Sequence, residues 1–295
     1  MTNALATFSK KIDSQLVEPL KNVTIGRKLV PVTAPQGFGI SSVDWGKITG
    51  LSGGYVSYGF TDGNEDVIDV TLTNSKIPVY WKDYRVNRRT YNSWLQNGTD
   101  IDSASAIEAL YQTVSVEDLA IIQGIANDGS NYDIKGLYQS AGNDCDAAAG
   151  CADFGTYGNA VATVSAAKKL LVDDGIPAYS IPLNLVLPST QYGQLEASAS
   201  TTGVEELPRV MRMLNGGSVF SVPETVLPAS TGLLLPAPQA AKPYFDYFLT
   251  ANYQTEHGID SKHPDTGDLF GRVFTAGILR VKHPNAICKL SAIRG

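Results

Sequence analysis

Few residues in this chain have both the type and the spacing that chemistry needs. The histidines are His257, His263 and His283. His257, Asp260 and His263 fall in HGIDSKHPDTG, where two imidazoles and a carboxylate would meet on a metal only if the segment curled. Its glycines, proline and aspartates read more simply as an exposed polar loop, so no metal is expected. Asp144 and Asp146 begin a calcium-loop pattern that Ala148 ends. GCADFGTY approaches a phosphate-binding loop but lacks the lysine that would reach phosphate. Gly37-Phe38-Gly39 starts a dinucleotide fingerprint that Ser42 breaks, and no nucleophile elbow occurs. Cys145 and Cys151, six apart in NDCDAAAGC, are close enough to form a disulfide if that loop curls; the alternative is two small thiols in a loop. No catalytic residue and no cofactor is expected.

One carboxylate still calls for a partner. Asp100 to Leu137 holds the longest helical pattern, with Ile107, Leu110, Val114, Ile121 and Ile125 recurring on one face. Asp118 lies on that same face, four residues after Val114 and three before Ile121. A carboxylate on an apolar stripe is costly unless it is paired. Either the stripe ends near Asp118, or this helix packs against a basic group from elsewhere.

The elements around this helix follow from pattern and punctuation. Residues 4–22 read as an amphipathic helix carrying Leu5, Phe8, Ile12, Leu16 and Leu20 on one face, with Pro19 stopping it near Val17. LVPV is strand-like and leads to the turn Ala34-Pro35-Gln36-Gly37. From Trp45 to Arg89 the chain is β-rich. Turn chemistry at Gly53-Gly54 and Asp62-Gly63-Asn64 makes a long hairpin, with too little local core to stand alone. A loop rich in Gly, Asp and Ala follows the main helix. Next come a helix at Ala160–Asp174, a buried strand at Leu183–Leu187, helices at Ser189–Ala197 and in LPRVMRMLNGG, and the strand SVFSVPE. FDYFLTANYQT and FGRVFTAGILRVKHPNAICKLSAI close the chain as strands.

The totals bound the class. A 295-residue chain with 43% hydrophobic and 18% charged residues buries a sizeable core, as one subdivided domain or two. The net charge of −6 argues against a nucleic-acid-binding surface, and Arg85, Arg88 and Arg89 are too local to change that. No run of about 18 apolar residues predicts a membrane span. Lys10, Lys11 and Asp13 interrupt any apolar signal core, so a cytoplasmic address is expected.

Several segments, in their order and spacing, resemble the encapsulins, shell-forming proteins on the tailed-phage major capsid fold. They are GRKLVPVTAPQGFG, IPVYWKDYRVNRRTY, VEDLAIIQGIANDGSNYDIKGL, LPRVMRMLNGGSVFSVPE and LRVKHPNAICKL. In the third, an acidic pair (Glu117, Asp118) precedes Gly124 and a later Gly136-Leu137. The resemblance implies an α+β subunit with a peripheral domain, an axial domain and an extended β-hairpin arm, the E-loop. It places the N-terminal helix and start of the peripheral domain at 1–44 and the arm at 45–78. The peripheral domain with its spine helix takes 79–141, the axial domain 142–240 and the closing peripheral strands 241–295.

The same resemblance implies roles for named residues. Ser198, Ser200, Thr201, Thr202 and Glu205 would line a five-fold pore, with Glu206 nearby as a second acidic group. Leu5, Phe8, Ile12 and Leu16 would bind cargo that carries a short targeting peptide; the alternative is that they simply pack on the spine helix. Some members hold flavin with a tryptophan before the spine helix; here Arg89 takes that position and Trp94 stands five residues on. Asp118 is expected to pair with an arginine, Arg85, Arg88 and Arg89 being the nearest candidates. The expected partners are many copies of the chain and a cargo protein, with no membrane. Nucleic acid enters only if the chain is a virion capsid protein, the nearest alternative. A stand-alone enzyme or bacteriocin-like protein is the more distant one.

Overall fold

The computed structural model describes residues 7, 10–12, 16, 24–48, 70–97, 104–126, 133–201, 203–259 and 268–293. Two sheets organise them. The first is antiparallel, in the order β10 (Phe245–Ile259), β11 (Leu269–Val281), β3 (Val79–Val86). The second has five strands in the order β6 (Asn143–Cys145), β12 (Cys288–Leu290), β9 (Gly232–Pro236), β7 (Leu183–Pro188), β8 (Val219–Val222). β7 and β9 are buried along their whole length, as their unbroken LNLVLP and GLLLP runs require of central strands. The last strand, β12, joins this second sheet between β6 and β9, so the closing segment does not belong wholly to the first.

The spine helix α3 (Ala104–Ile122) packs on β3 and β11 of the three-stranded sheet. It stops at Ile122, before Ile125, the last residue of the expected stripe, for a steric reason. Gly124 has φ +95°, and a Cβ there would stand 2.5 Å from the backbone nitrogen of Gly136. Two glycines thus bring β4 (Gly124–Ile125) and β5 (Ile134–Lys135) together backbone to backbone, and the chain turns out of the helix to make that contact. Leu137, buried after Gly136, begins the short helix α4 (Leu137–Ser140).

Before the spine, Ile12 and Leu16 are helical and bury against Val86, Ala106, Leu110, Val114 and Val273. A single turn, α1 (Gly26–Leu29), precedes a segment that runs beside β10, bridging Val32 to Tyr247. The arm's root is the antiparallel pair β1 (Ser42–Ile48) and β2 (Val70–Lys76), from Ser42 opposite Lys76 to Ile48 opposite Val70. Its expected turns at Gly53-Gly54 and Asp62-Gly63-Asn64 lie outside the described residues. Arg88–Asn97 forms α2, a helix that the sequence pattern did not mark.

Around the five-stranded sheet stand α5 (Asn159–Asp173), α6 (Ser189–Ala197), α7 (Leu207–Met213) and α8 (Pro238–Ala241). α5 covers the sheet with Ala160, Val164, Ala167 and Leu171, and ends before Gly175 at φ +81°. Cys145 and Cys151 are bridged, with Cα atoms 5.6 Å apart, and Cys288 is a buried free thiol in the same core.

Candidate functional site

Besides the possible disulfide, the sequence led to three expected sites, Asp118 on the spine, the axial loop and the cargo-binding residues, and the structure adds the arm root. The acidic pair is the best determined. Glu117 is fully buried and Asp118 is 6% exposed, so the helical stripe continues through both. Glu117 accepts a forked pair of hydrogen bonds from Arg27, Nε at 3.0 Å and Nη2 at 2.8 Å. It also accepts from the hydroxyls of Tyr247, at 2.7 Å, and Tyr253. Arg27 also donates to Thr275 Oγ1 at 2.7 Å and Asn252 Oδ1 at 2.8 Å, and its guanidinium lies 4.2 Å from the Tyr253 ring centroid. Bidentate, charge-assisted bonds of this kind offset the desolvation of two buried charges.

Asp118 serves the backbone instead. Its carboxylate accepts the N–H of Ile25 at 3.1 Å and of Gly26 at 2.8 Å, capping the buried start of α1. A Cβ at position 26 would sit 2.8 Å from Asp118 Oδ1, so glycine is what lets the two approach. The expected arginine partner is therefore corrected. Arg85 is an exposed β3 residue opposite Phe270, and Arg88 and Arg89 open α2 at the surface. The arginine at the acidic pair is Arg27, and it pairs with Glu117.

Protonation follows from this environment. Burial, opposed by the two backbone N–H groups, pushes the Asp118 carboxyl up to about 6. Burial and then the adjacent Glu117 charge hold the Tyr247 and Tyr253 hydroxyls well above their ordinary value, so both remain neutral donors. Burial works against the Arg27 charge, but the charge and hydrogen bond of Glu117, with Tyr253 and Tyr247, together outweigh it and the guanidinium's pKa is raised. The cluster binds α1, α3, β10 and β11 into one unit; its chemistry is mechanical.

The axial loop is a small hairpin. Ala199 bridges Glu205, the Ser200 N–H donates to Val204 O at 2.9 Å, and Gly203 turns the tip at φ +79°. Thr201 and Glu205 are exposed and Ser200 is partly so, while Thr202 lies outside the described residues. Ser198 departs from the expected rim: it is 8% exposed and its hydroxyl donates inward to Glu206 at 2.9 Å. Glu206 is likewise fully buried and presents no charge to a channel.

The arm root is the most open part. Leu72 on β2 is 76% exposed, and Val79, Trp81 and Val116 are exposed apolar residues that line a common cleft. Between the root and the body runs a cleft of about 690 Å³, lined by Ser75, Ile77, Tyr80, Val116, Ile134 and Ile278 among others. Of the residues expected to bind cargo, Ile12 and Leu16 are 1% and 5% exposed and pack beside the spine helix. Leu5 and Phe8 lie outside the described residues.

His257 is a further correction. It belongs to β10, half-buried, with Nε2 2.6 Å from the Tyr84 hydroxyl, and burial lowers its pKa to about 4. Asp260 and His263 lie outside the described residues, and no metal-binding cluster occurs among those described. No helix among them is long and apolar enough to cross a membrane.

Comparison with known proteins adds an independent line. A family model described as "Encapsulating protein for peroxidase" (Linocin_M18) matches residues 4–238. The chain is 26% identical over 291 residues to the diheme-cytochrome-encapsulin shell fusion protein of Kuenenia stuttgartiensis, covering 95% of this chain and 71% of that one. Among solved structures, the virus-like particle from Pyrococcus furiosus matches with a TM-score of 0.64 at 18% identity, over 96% of this chain and 99% of that one. The capsid of Myoviridae phage XM1 matches with a TM-score of 0.58 at 16% identity, over 92% of each chain. At these identities the structural matches establish the fold: it is the tailed-phage capsid fold.

Proposed function

The chain belongs to the Linocin_M18 family of encapsulating proteins, the encapsulins, and on that premise we propose that many copies of it close into an icosahedral shell around cargo enzyme. The observation that carries the reading is the arm root. A two-stranded ribbon is marginal by itself, and this one exposes Leu72 and leaves an open cleft lined by exposed apolar residues at its base. A neighbouring subunit supplies the missing surface, so assembly completes the burial that folding leaves undone. In this reading residues 45–78 are the arm, 142–240 the axial domain, and the remainder the peripheral domain built on α3, with β12 reaching into the axial sheet.

Within the shell, the exposed part of the axial loop (Ser200, Thr201, Glu205) forms a polar rim at the five-fold axis, with Glu205 favouring cations. Cargo carrying a short targeting peptide docks on the inner side of the N-terminal helix. Since Ile12 and Leu16 are committed to the spine, Leu5 and Phe8 carry that docking. The family description names a peroxidase, which makes a peroxidase the first cargo to look for.

Size-exclusion chromatography with electron microscopy tests the shell: uniform closed particles are expected, and a monomer at every concentration refutes it. Mass spectrometry of purified particles, with a nuclease-protection assay, then separates a nanocompartment from a genome-packaging capsid. A co-purifying enzyme without protected DNA supports the former. Protected DNA of defined length supports the latter.

A further inference from the structure

Glu206 occupies the point where the axial loop returns to the body, and its carboxylate is fully buried. Oε1 and Oε2 accept the Gly158 N–H at 3.0 and 3.1 Å, and Oε1 accepts the Val161 N–H at 3.1 Å. Oε2 also accepts the Ser198 hydroxyl at 2.9 Å. Gly158 caps the 15-residue α5 at φ +94° and has no side chain with which to satisfy the helix's first N–H groups. The carboxylate of Glu206 does this from 48 positions away, where a negative charge also meets the positive end of the helix.

The backbone of the same residue completes the arrangement. Its N–H donates to Ser198 O at 3.0 Å, closing the loop's neck, and its carbonyl accepts the N–H groups of Arg209 and Val210, each at 3.0 Å, to start α7. One residue therefore joins both ends of the loop, the start of α5 and the start of α7. Arg209 reinforces the seam by donating to the Tyr157 hydroxyl at 2.6 Å, just before Gly158.

We infer that Glu206 is the positioning residue of the axial loop: it fastens the neck to α5 and so fixes where Ser200, Thr201 and Glu205 stand. That this governs an aperture rests on the pore reading above; the fastening itself does not.

Hydrogen exchange on the assembled protein, read by mass spectrometry over peptides spanning 155–163 and 196–208, tests it. Glu206→Gln keeps the size but turns an amide N–H2 toward N–H donors. It is expected to speed exchange at least about tenfold in both peptides and leave β10 and β11 unchanged, the loss equivalent to one charge-assisted hydrogen bond. Ser198→Ala is expected to speed only the loop peptide. Asp173→Asn, which breaks an exposed pair at the other end of α5, is expected to speed neither. Unchanged exchange in Glu206→Gln, or an even acceleration along the whole chain, overturns the inference. Should that variant not fold, Ser198→Ala decides: loop-confined acceleration supports the anchor and no change overturns it. Entry of a small dye into the same particles reads the pore separately. A loosened loop with unaltered entry leaves the anchor standing and refutes the pore.

Discussion

Arg27 Nη2 stands 2.8 Å from Glu117 Oε1, across 90 positions of sequence, with the carboxylate fully buried. This contact and its neighbour, Asp118 on the Ile25 and Gly26 N–H groups, clamp α1 to the spine helix. Removing one partner of a buried pair leaves an uncompensated charge, so the two single variants should cost more than the pair is worth.

Arg27→Met is therefore expected to destabilise by about 3–5 kcal/mol, and a second change, Glu117→Gln, which removes the unpaired charge and keeps an oxygen for the tyrosine hydroxyls, to recover much of that. Guanidinium denaturation followed by tryptophan fluorescence measures both. A single-variant loss within about 0.5 kcal/mol, the range of an ordinary surface change, would show that the pair does not clamp the fold.

Gly26→Ala tests the other half of the clamp. Its Cβ would lie 2.8 Å from Asp118 Oδ1 and 3.1 Å from Ile121 Cδ1. Overpacking of this kind costs about 1–3 kcal/mol, read as a fall in the denaturation midpoint. A variant as stable as the parent would mean the turn and the spine are not in contact.

Asp118 gives stability an unusual acid dependence. Its folded pKa of about 6 lies above the ordinary 3.8, so between those values the folded chain holds a proton that the unfolded chain has lost. This contribution rises as pH falls through 6 and is lost as pH rises through it. The stability of the parent minus that of Asp118→Asn should grow between pH 7 and pH 4. A flat difference across that range contradicts the assignment.

His257 pulls the other way in an overlapping window. Burial holds its folded pKa near 4, below the ordinary 6.5, so on acidification the unfolded chain gains a proton first. Its contribution is complete above 6.5 and disappears as pH falls toward 4. His257→Gln should weaken the acid-induced loss of stability, measured by the same midpoints at pH 7, 5.5 and 4.5. An unaltered pH profile would place the imidazole in solvent.

Reduction of the Cys145–Cys151 bridge should matter modestly and slowly. The bridge closes a short loop, worth about 2–3 kcal/mol by loop entropy, and its sulfurs are buried at 0% and 3% exposure. Thermal melting with and without reductant, after incubation long enough to free both thiols, reads the effect. An unchanged melt with both thiols shown free rules the contribution out.

Local signals carried much of this architecture. The spine helix, the hairpin root, α5 and the all-apolar β7 announce themselves because periodicity, turn residues and unbroken hydrophobic runs act over a few positions. Asp118 was legible too, as one carboxylate on a stripe that demanded a partner, whereas Glu117 entered only through the family resemblance. What their partners are was not legible. Arg27, Tyr247 and Tyr253 reach Glu117 from elements 90 to 136 positions away, and nothing local in GRKL or NYQT encodes that meeting. Glu205 and Glu206 look alike in the sequence, yet one is exposed and the other buried beneath two helix starts. The same holds for Ile12 and Leu16, whose amphipathic spacing marks an apolar face without saying what covers it. The sequence by itself determined most of the helices and strands, α2 and the end of β10 excepted, and which apolar faces and which carboxylate need burial or a partner. Only the tertiary structure decided which distant group meets each need, because that depends on how the two sheets and the spine pack and not on any spacing along the chain.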